Sequence, residues 1–425
     1  MQPVASWVDP RTGYRQDTAH VLLHPILDSG KTKLQVLTDH SVVRVLFDND
    51  KRCSGVEISS NSGTLITIGA RKQVVLCAGT INSPQILERS GIGNRSLLSS
   101  LNIPVVSDLP GVGTNYQDHH FISSKYKSSA PSSATLDGLW GGTVLPDSPE
   151  IQESGMLGWN SGVLAGKIRP SAAELARMSP RFQEIYARDF KALNKPLALV
   201  YGHVGAIGPP MPPPGQYISF AIAVAYGYSR GQVHIKGPNV NDGPDFDTGT
   251  LSDVDHADVE VLVWAYKRCR EIIRRMKFAE GGWPPSHPNF NETSEAAVQR
   301  DEVLLKESGD RTSNGDIVLE DIAYNEDDDK AIEQFVKDNA GTLWHYAGTC
   351  AMKSHQNGGV VDENLSVYGV DSLKVAGKSL LRPFNLSSIG HRLTIFRLVD
   401  TSFASGWKYV LYCDHGWREG RSNFE

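Results

Sequence analysis

The run KQVVLCAGTINSPQILERSGIG, residues 72–93, constrains the fold more than any other stretch. A short apolar segment ends in Ala-Gly, and helix punctuation follows at once. Ser83 suits a helix cap, Pro84 the first helical position and Gly91 the stop. Strand, tight turn and helix make the half-unit of an α/β sheet. An α/β fold is therefore expected, and 425 residues suit two domains better than one core.

Charge and cysteine usage exclude several functions. Lys plus Arg is 42 and Asp plus Glu is 48, a net charge of −6 with no long basic run. Nucleic acid and anionic membranes are therefore not expected partners. Cys53, Cys77, Cys269, Cys350 and Cys413 form no CxxC pair, and their number is odd. That speaks against a disulfide framework or a structural zinc site and fits a reducing compartment. No metal is expected, since the adjacent His119 and His120 would face opposite sides of a strand. The opening MQPVASWVDPRTGYRQD lacks a signal-peptide core, no apolar run is long enough to span a bilayer, and SNFE is not a peroxisomal address. A cytoplasmic protein is expected.

Residues 34–77 read as β structure: LQVLTDHSVVRVLF, a turn at NDK, and CSGVEI returning as a hairpin. Residues 104–118 form a Gly/Pro-rich connection. From 120 to 215 the signals weaken to short helical pieces such as SAAELARM and a polyproline II loop, GPPMPPPG. QYISFAIAVAYGYSRGQVHI reads as two strands around Ser229, Arg230 and Gly231. VDHADVEVLVWAYKRCREIIRRM reads as a long helix with Val263, Tyr266, Ile273 and Met276 inward and its Arg and Lys toward water. EDDDKAIEQFVKDNAG reads as a helix whose acids suit its N-terminal end, with Ile332, Phe335 and Val336 as its apolar stripe.

That helix leads into WHYAGTCAM, residues 344–352. Taken alone, His345 is open to three roles: packed core residue, metal ligand or active-site base. No Walker loop or GxSxG elbow accompanies it. Gly91-Ile-Gly93 and Gly111-Val-Gly113 each lack the third glycine of a dinucleotide fingerprint.

Several separated motifs nevertheless resemble one family. GTINSPQILERSGIG, residues 79–93, is similar to the second signature of the glucose-methanol-choline (GMC) oxidoreductases, and LPGVGTNYQDH is similar to their PGVGxNLQDH segment. WVDPRTGYRQDTAH, SRGQVHI at 229–235, PDFD at 244–247, WHYAGTCAM and GGVVDENLSVYGVDSLKVA follow in the family's order, across roughly residues 5 to 395. The WAYKRCRE helix and the EDDDKAIE to WHxxGTC run look most like the fungal alcohol (methanol) oxidase branch. The family's opening βαβ unit, with its GxGxxG loop, has no counterpart here, so the chain reads as N-terminally truncated.

The resemblance implies an α/β, FAD-binding GMC-type fold, incomplete without that βαβ unit. Its FAD-binding parts would be 1–120 and 336–400, an α+β substrate domain 121–335, and an atypical tail 401–425. It implies that a primary alcohol loses its hydroxyl proton to a histidine and its hydride to FAD, giving an aldehyde. Oxygen or another acceptor then takes the electrons. His345 holds the H-x-x-G-T position of the base, and imidazole titrates near enough to neutrality for that task. The Gly348-Thr349 turn would bring the backbone close to the flavin. The resemblance also places Val42 at the adenine, Trp344 beside the flavin, and Gly377 where the family has a flavin-contacting Asp. The second active-site group is His391 or Ser388, with His391 chemically better suited. Arg382 and Arg392 suit the surface or an acidic substrate. Methanol-like, aromatic and secondary-metabolite alcohols all stay open. A flavin-free, non-catalytic remnant of the family is the alternative reading.

Overall fold

The computed structural model describes residues 9, 14, 16–31, 33–159, 161–298 and 320–380, with backbone alone for 410–412. The chain divides into two compact units. The first comprises Met1–Arg15, Asp118–Arg230 and Gly249–His345, and the second comprises Gln16–Gln117, Gly231–Thr248 and Tyr346–Glu425.

In the second unit the strand Val74–Leu76 pairs in parallel with Leu373–Val375. Beside this pair lies an antiparallel meander of His40–Phe47, Cys53–Ser60 and Leu65–Gly69. The expected hairpin is present, but Asp39 (φ 60°) cuts its first run, leaving Gln35–Leu37 as a separate strand. Val45, Ile58, Leu76, Leu87, Ile92, Val361 and Val375 share one core.

The helix after the strand begins earlier than its punctuation suggests. It spans Gly79–Arg89, so Pro84 lies inside it and Ser83 does not cap it. The Ser83 hydroxyl is buried and, among the described residues, has no hydrogen-bond partner. Gly91 does stop the helix, at φ +82°, where a side chain would sit 2.2 Å from the Pro104 carbonyl oxygen. Pro84 has no N–H, so the Thr80 carbonyl four residues earlier loses its helical donor. Thr349 fills that vacancy: its hydroxyl donates to the Thr80 oxygen at 2.7 Å. The Thr80 hydroxyl in turn donates to the Tyr346 carbonyl at 3.0 Å. The Gly348 backbone (φ +95°) is crowded by its own chain, because an added Cβ would lie 2.6 Å from the Asn115 carbonyl oxygen and 2.9 Å from the Gln117 amide nitrogen. These contacts hold the Gly348-Thr349 turn.

The two strands expected around Ser229 are present as Tyr217–Val224 and Gln232–His234. The second of them pairs with Asp245–Asp247. The buried Glu88 carboxylate accepts from His234 Nδ1 at 2.6 Å and from the Ile235 N–H at 2.9 Å, fixing that strand to the Gly79–Arg89 helix.

The first unit is an antiparallel sheet. Ala279–Gly282, His120–Ser128, Tyr217–Val224, Ala198–Val204 and Gly162–Ile168 follow in that order, and Gly341–Thr342 also pairs with His120–Ser128. Three of these strands fall between 120 and 215, where the sequence signals are weak. The helices Ala257–Arg274 and Glu326–Asn339 cover one face, packing Leu262, Tyr266, Ile273, Ile332 and Val336 against Ile122, Phe220 and Ile222. The acids of the second helix do act at its N-terminus, where Asn325 and Asp328 form a capping box. The basic residues of the first helix do not all face water. Arg270 is fully buried and donates to the Ala296 carbonyl at 2.6 Å, and buried Arg274 pairs with Glu271 at 3.0 Å.

His287 is sealed inside this unit. Its Nδ1 accepts from the Tyr266 hydroxyl at 2.8 Å and its Nε2–H donates to the Lys125 carbonyl at 3.0 Å. Burial, with help from Arg270, pushes its pKa down from 6.5 to about 3, and burial alone takes His203 to about 4.

Two outcomes follow from this packing. Thr349→Val leaves the buried Thr80 carbonyl without a donor and should lower unfolding free energy by ~1–3 kcal/mol in urea titrations; an unchanged midpoint would remove the bond from the fold's support. His203 and His287 stay neutral when folded but take a proton when unfolded, below their ordinary pKa of 6.5. Stability should therefore fall as pH drops from about 6.5 toward 4, by ~1.4 kcal/mol per pH unit for each histidine. His287→Gln should make that slope shallower, and an equal slope would contradict the assignment.

Candidate active site

The segment around His345 leaves the edge of the first unit's sheet. Thr342 pairs with His120, and the Leu343 N–H reaches the His119 carbonyl at 3.4 Å. Trp344 then reverses the chain at φ +58° and exposes about half of its surface (51 %). One carboxylate organises this reversal. Asp118 Oδ1 accepts from the His345 N–H at 3.1 Å and from the His119 N–H at 2.7 Å, while Oδ2 accepts the Thr342 hydroxyl. The Thr342 Oγ1 also accepts the Trp344 N–H at 2.8 Å. Thr342, Trp344 and His345 thus hang from Asp118 directly or through Thr342. The His345 side chain stays exposed.

The two adjacent histidines separate. His119 donates Nδ1–H to the Val224 carbonyl at 2.7 Å, and its ring meets that of His345 edge-on, centroids 5.4 Å apart at 84°. His120 is buried, its Nε2 4.0 Å from Asp258 Oδ2. Burial pulls the His120 pKa down, while Asp258, Asp118 and Asp253 pull it up less strongly. Asp258 is engaged by the N–H groups of Tyr228 and Ser229, both at 2.9 Å, so this acid anchors a turn.

Within the second unit, residues 346–350 are fixed by backbone bonds. Ala347 exchanges two bonds with Gln117, at 2.8 and 2.9 Å. The Gly348 carbonyl accepts the Asn115 amide at 3.0 Å, and Thr349 accepts the Gly113 N–H at 2.9 Å. The Gly348 and Cys350 N–H groups reach the carbonyls of Lys378 and Ser379 at 3.1 and 2.7 Å.

Gly377 sits just past the parallel strand Leu373–Val375 at φ +112°, and Gly79 just past its neighbour Val74–Leu76 at φ +76°. A Cβ at either glycine would meet no atom of the described residues within 4 Å. The Gly79–Arg89 helix starts there with no side-chain cap on its first N–H groups. Open backbone at the carboxyl ends of parallel strands, beside a helix N-terminus that its N-cap residue does not cap, suits a flat cofactor carrying phosphate. These residues therefore fit part of an FAD cradle. Val42 is half-buried, pairs with Ile58 and packs on the core, the place of an ordinary structural valine.

His391, Ser388, Arg382 and Arg392 lie outside the described residues, as does most of the 401–425 tail. Asp118 and His119 were missed as site residues by sequence reasoning, which weighed His119 only as a metal ligand. The signal available was their place in NYQDHH, where a Gly-rich connection ends and a strand begins. Among the described residues no cluster of three or more His, Cys, Asp or Glu could hold a metal. His20 and His24 do stand one helical turn apart, rings 5.2 Å from each other, and His20 Nδ1 is bound by Asp17 at 2.8 Å.

Comparison with known proteins gives these residues their context. Residues 3–121 and 227–387 match the N-terminal and C-terminal family models of the GMC oxidoreductases. Alcohol oxidase 1 of Komagataella phaffii is 32 % identical over 421 residues, covering 88 % of this chain and 63 % of the relative. The alcohol oxidase of Pichia angusta is 33 % identical over 425 residues, with the same coverage of 88 % and 63 %. An FAD-dependent oxidoreductase from Chaetomium thermophilum superposes with a TM-score of 0.62 at 25 % identity, over 88 % of this chain and 61 % of that structure. The chain spans 63 % of the length of the curated alcohol oxidases it matches. Matched in both family regions, in sequence order and with the corresponding fold, this chain belongs to the GMC oxidoreductase family.

Proposed function

We propose that this protein oxidises an alcohol to an aldehyde in an FAD-dependent reaction, with His345 as the base. The observation that carries the proposal is the Asp118 clamp, which holds the His345 backbone at 3.1 Å while its ring stays exposed. The kinship with alcohol oxidases supports an alcohol as substrate and oxygen as an acceptor. Bound FAD would supply the hydride acceptor.

The residues of the chain divide the remaining work. The His345 imidazole takes the hydroxyl proton of the alcohol, for which a group titrating near neutral pH is suited. Gly79, Gly377 and the first N–H groups of the Gly79–Arg89 helix would hold the cofactor, with Val42 toward the adenine and Trp344 beside the ring system. His391 is the proposed partner of His345. Residues 1–120 and 336–400 are assigned to FAD and 121–335 to the substrate. The free thiols of Cys53, Cys77, Cys269 and Cys350 support a cytoplasmic setting, and among the described residues no helix is long and apolar enough to cross a membrane.

Purified protein should take up added FAD and retain its visible absorbance through gel filtration. Failure to retain it would favour the flavin-free reading. In the loaded enzyme, His345→Ala should lower kcat for a primary alcohol by ~10²–10⁴-fold, and undiminished turnover would remove His345 from the role.

A further inference from the structure

We propose that His119 is a positioning residue that sets the orientation of the His345 ring. The inference rests on the reading of His345 as the base. Its foundation is geometric and lies wholly within the first unit. The two rings meet edge-on, centroids 5.4 Å apart at 84°, an arrangement that aromatic quadrupoles favour. His119 is itself fixed at three points. Its Nδ1–H is spent on the Val224 carbonyl at 2.7 Å, its N–H on Asp118 at 2.7 Å, and its carbonyl accepts the Leu343 N–H at 3.4 Å. Val224 ends a fully buried strand in the middle of the sheet, so the carbonyl that orients His119 is rigid.

The sheet thus reaches the exposed His345 side chain through one intermediary. Asp118 fixes where the His345 backbone starts, and a backbone bond does not by itself set χ1 and χ2. A ring of fixed plane against one side of the imidazole removes part of that freedom. A base must point its lone pair at the proton it takes, and misplacement by about 1 Å can cost on the order of 10²-fold in rate. In neutral His119 the spent Nδ1–H leaves the lone pair on Nε2, so His119 meets its neighbour in one tautomer. Sequence reasoning placed the partner of His345 far downstream; the described structure supplies a ring neighbour from the NYQDHH segment.

The test uses the full chain and needs no cofactor for its first readout. In 1H–15N spectra of the histidine rings, wild-type protein should show His345 with well-separated Nδ1 and Nε2 shifts and ring–ring NOEs to His119. His119→Ala should draw the two His345 nitrogen shifts toward each other as its tautomers and rotamers average. His119→Phe, which keeps the ring, should restore the separation. In FAD-loaded enzyme, His119→Ala should lower kcat about tenfold with KM within about twofold, and His119→Phe should recover most of that loss, the pattern of an interaction needed only in the transition state. Absent NOEs in the wild type, or a His345 spectrum untouched by His119→Ala, would overturn the proposal, as would a Phe variant as impaired as Ala. The NOE measurement decides the matter even if the alanine variant does not fold. Should His345→Ala leave turnover intact while His119→Ala still averages the His345 spectrum, the positioning role stands and the base assignment falls.

Discussion

A carbonyl that has lost its donor governs much of the second unit. Pro84 sits inside a helix, where its ring removes the N–H that Thr80 would otherwise receive. Leaving such a group buried and unmet costs about 1–3 kcal/mol. The Thr349 hydroxyl meets it, and the Thr80 hydroxyl answers by binding Tyr346. Thr80 is thereby tied by two bonds to the 346–349 segment, nearly 270 positions away. The H-x-x-G-T motif gains a structural meaning from this pairing. Its threonine completes a broken helix, and its glycine passes Asn115 where a Cβ would be 2.6 Å from a carbonyl oxygen.

The same economy appears in the first unit, where one acid holds several donors. Asp118 engages the N–H groups of His119 and His345 and the hydroxyl of Thr342. Hydrogen bonds to an ionised group are roughly twice as strong as neutral ones, so one carboxylate suffices to set a tight reversal. Deeper in the unit the rule is different. Arg270 and Arg274 are buried, yet each is bound by a carbonyl or a carboxylate, which is the condition for carrying charge in a core.

Parts of this were legible in the sequence because they depend on local order alone. The helices at Ala257–Arg274 and Glu326–Asn339 follow from apolar spacing and acid placement. The strand and stop around Gly91 follow from conformational limits on one residue. Other parts were hidden for a physical reason. The strands His120–Ser128, Gly162–Ile168 and Ala198–Val204 carry Ser, Gly and Lys, and their identity comes from partners in the sheet. Pro84 looked like a helix start because the compensation for its missing N–H comes from residue 349. Gln232–His234 reads as a strand in the sequence, but its tie to Glu88 does not, because Glu88 is remote in sequence.

What the sequence determined by itself is the family: ordered motifs from GTINSPQILERSGIG to WHYAGTCAM identify a GMC oxidoreductase and put His345 in the H-x-x-G-T position. Motif order survives because it reflects a shared chain path. Only tertiary structure decided what surrounds that histidine. Asp118 beneath its backbone and His119 against its ring arrive from more than 220 positions away, and no local pattern encodes a contact made only when a sheet edge closes. Gly79 and Gly377 likewise become one open cradle only because two parallel strands end side by side.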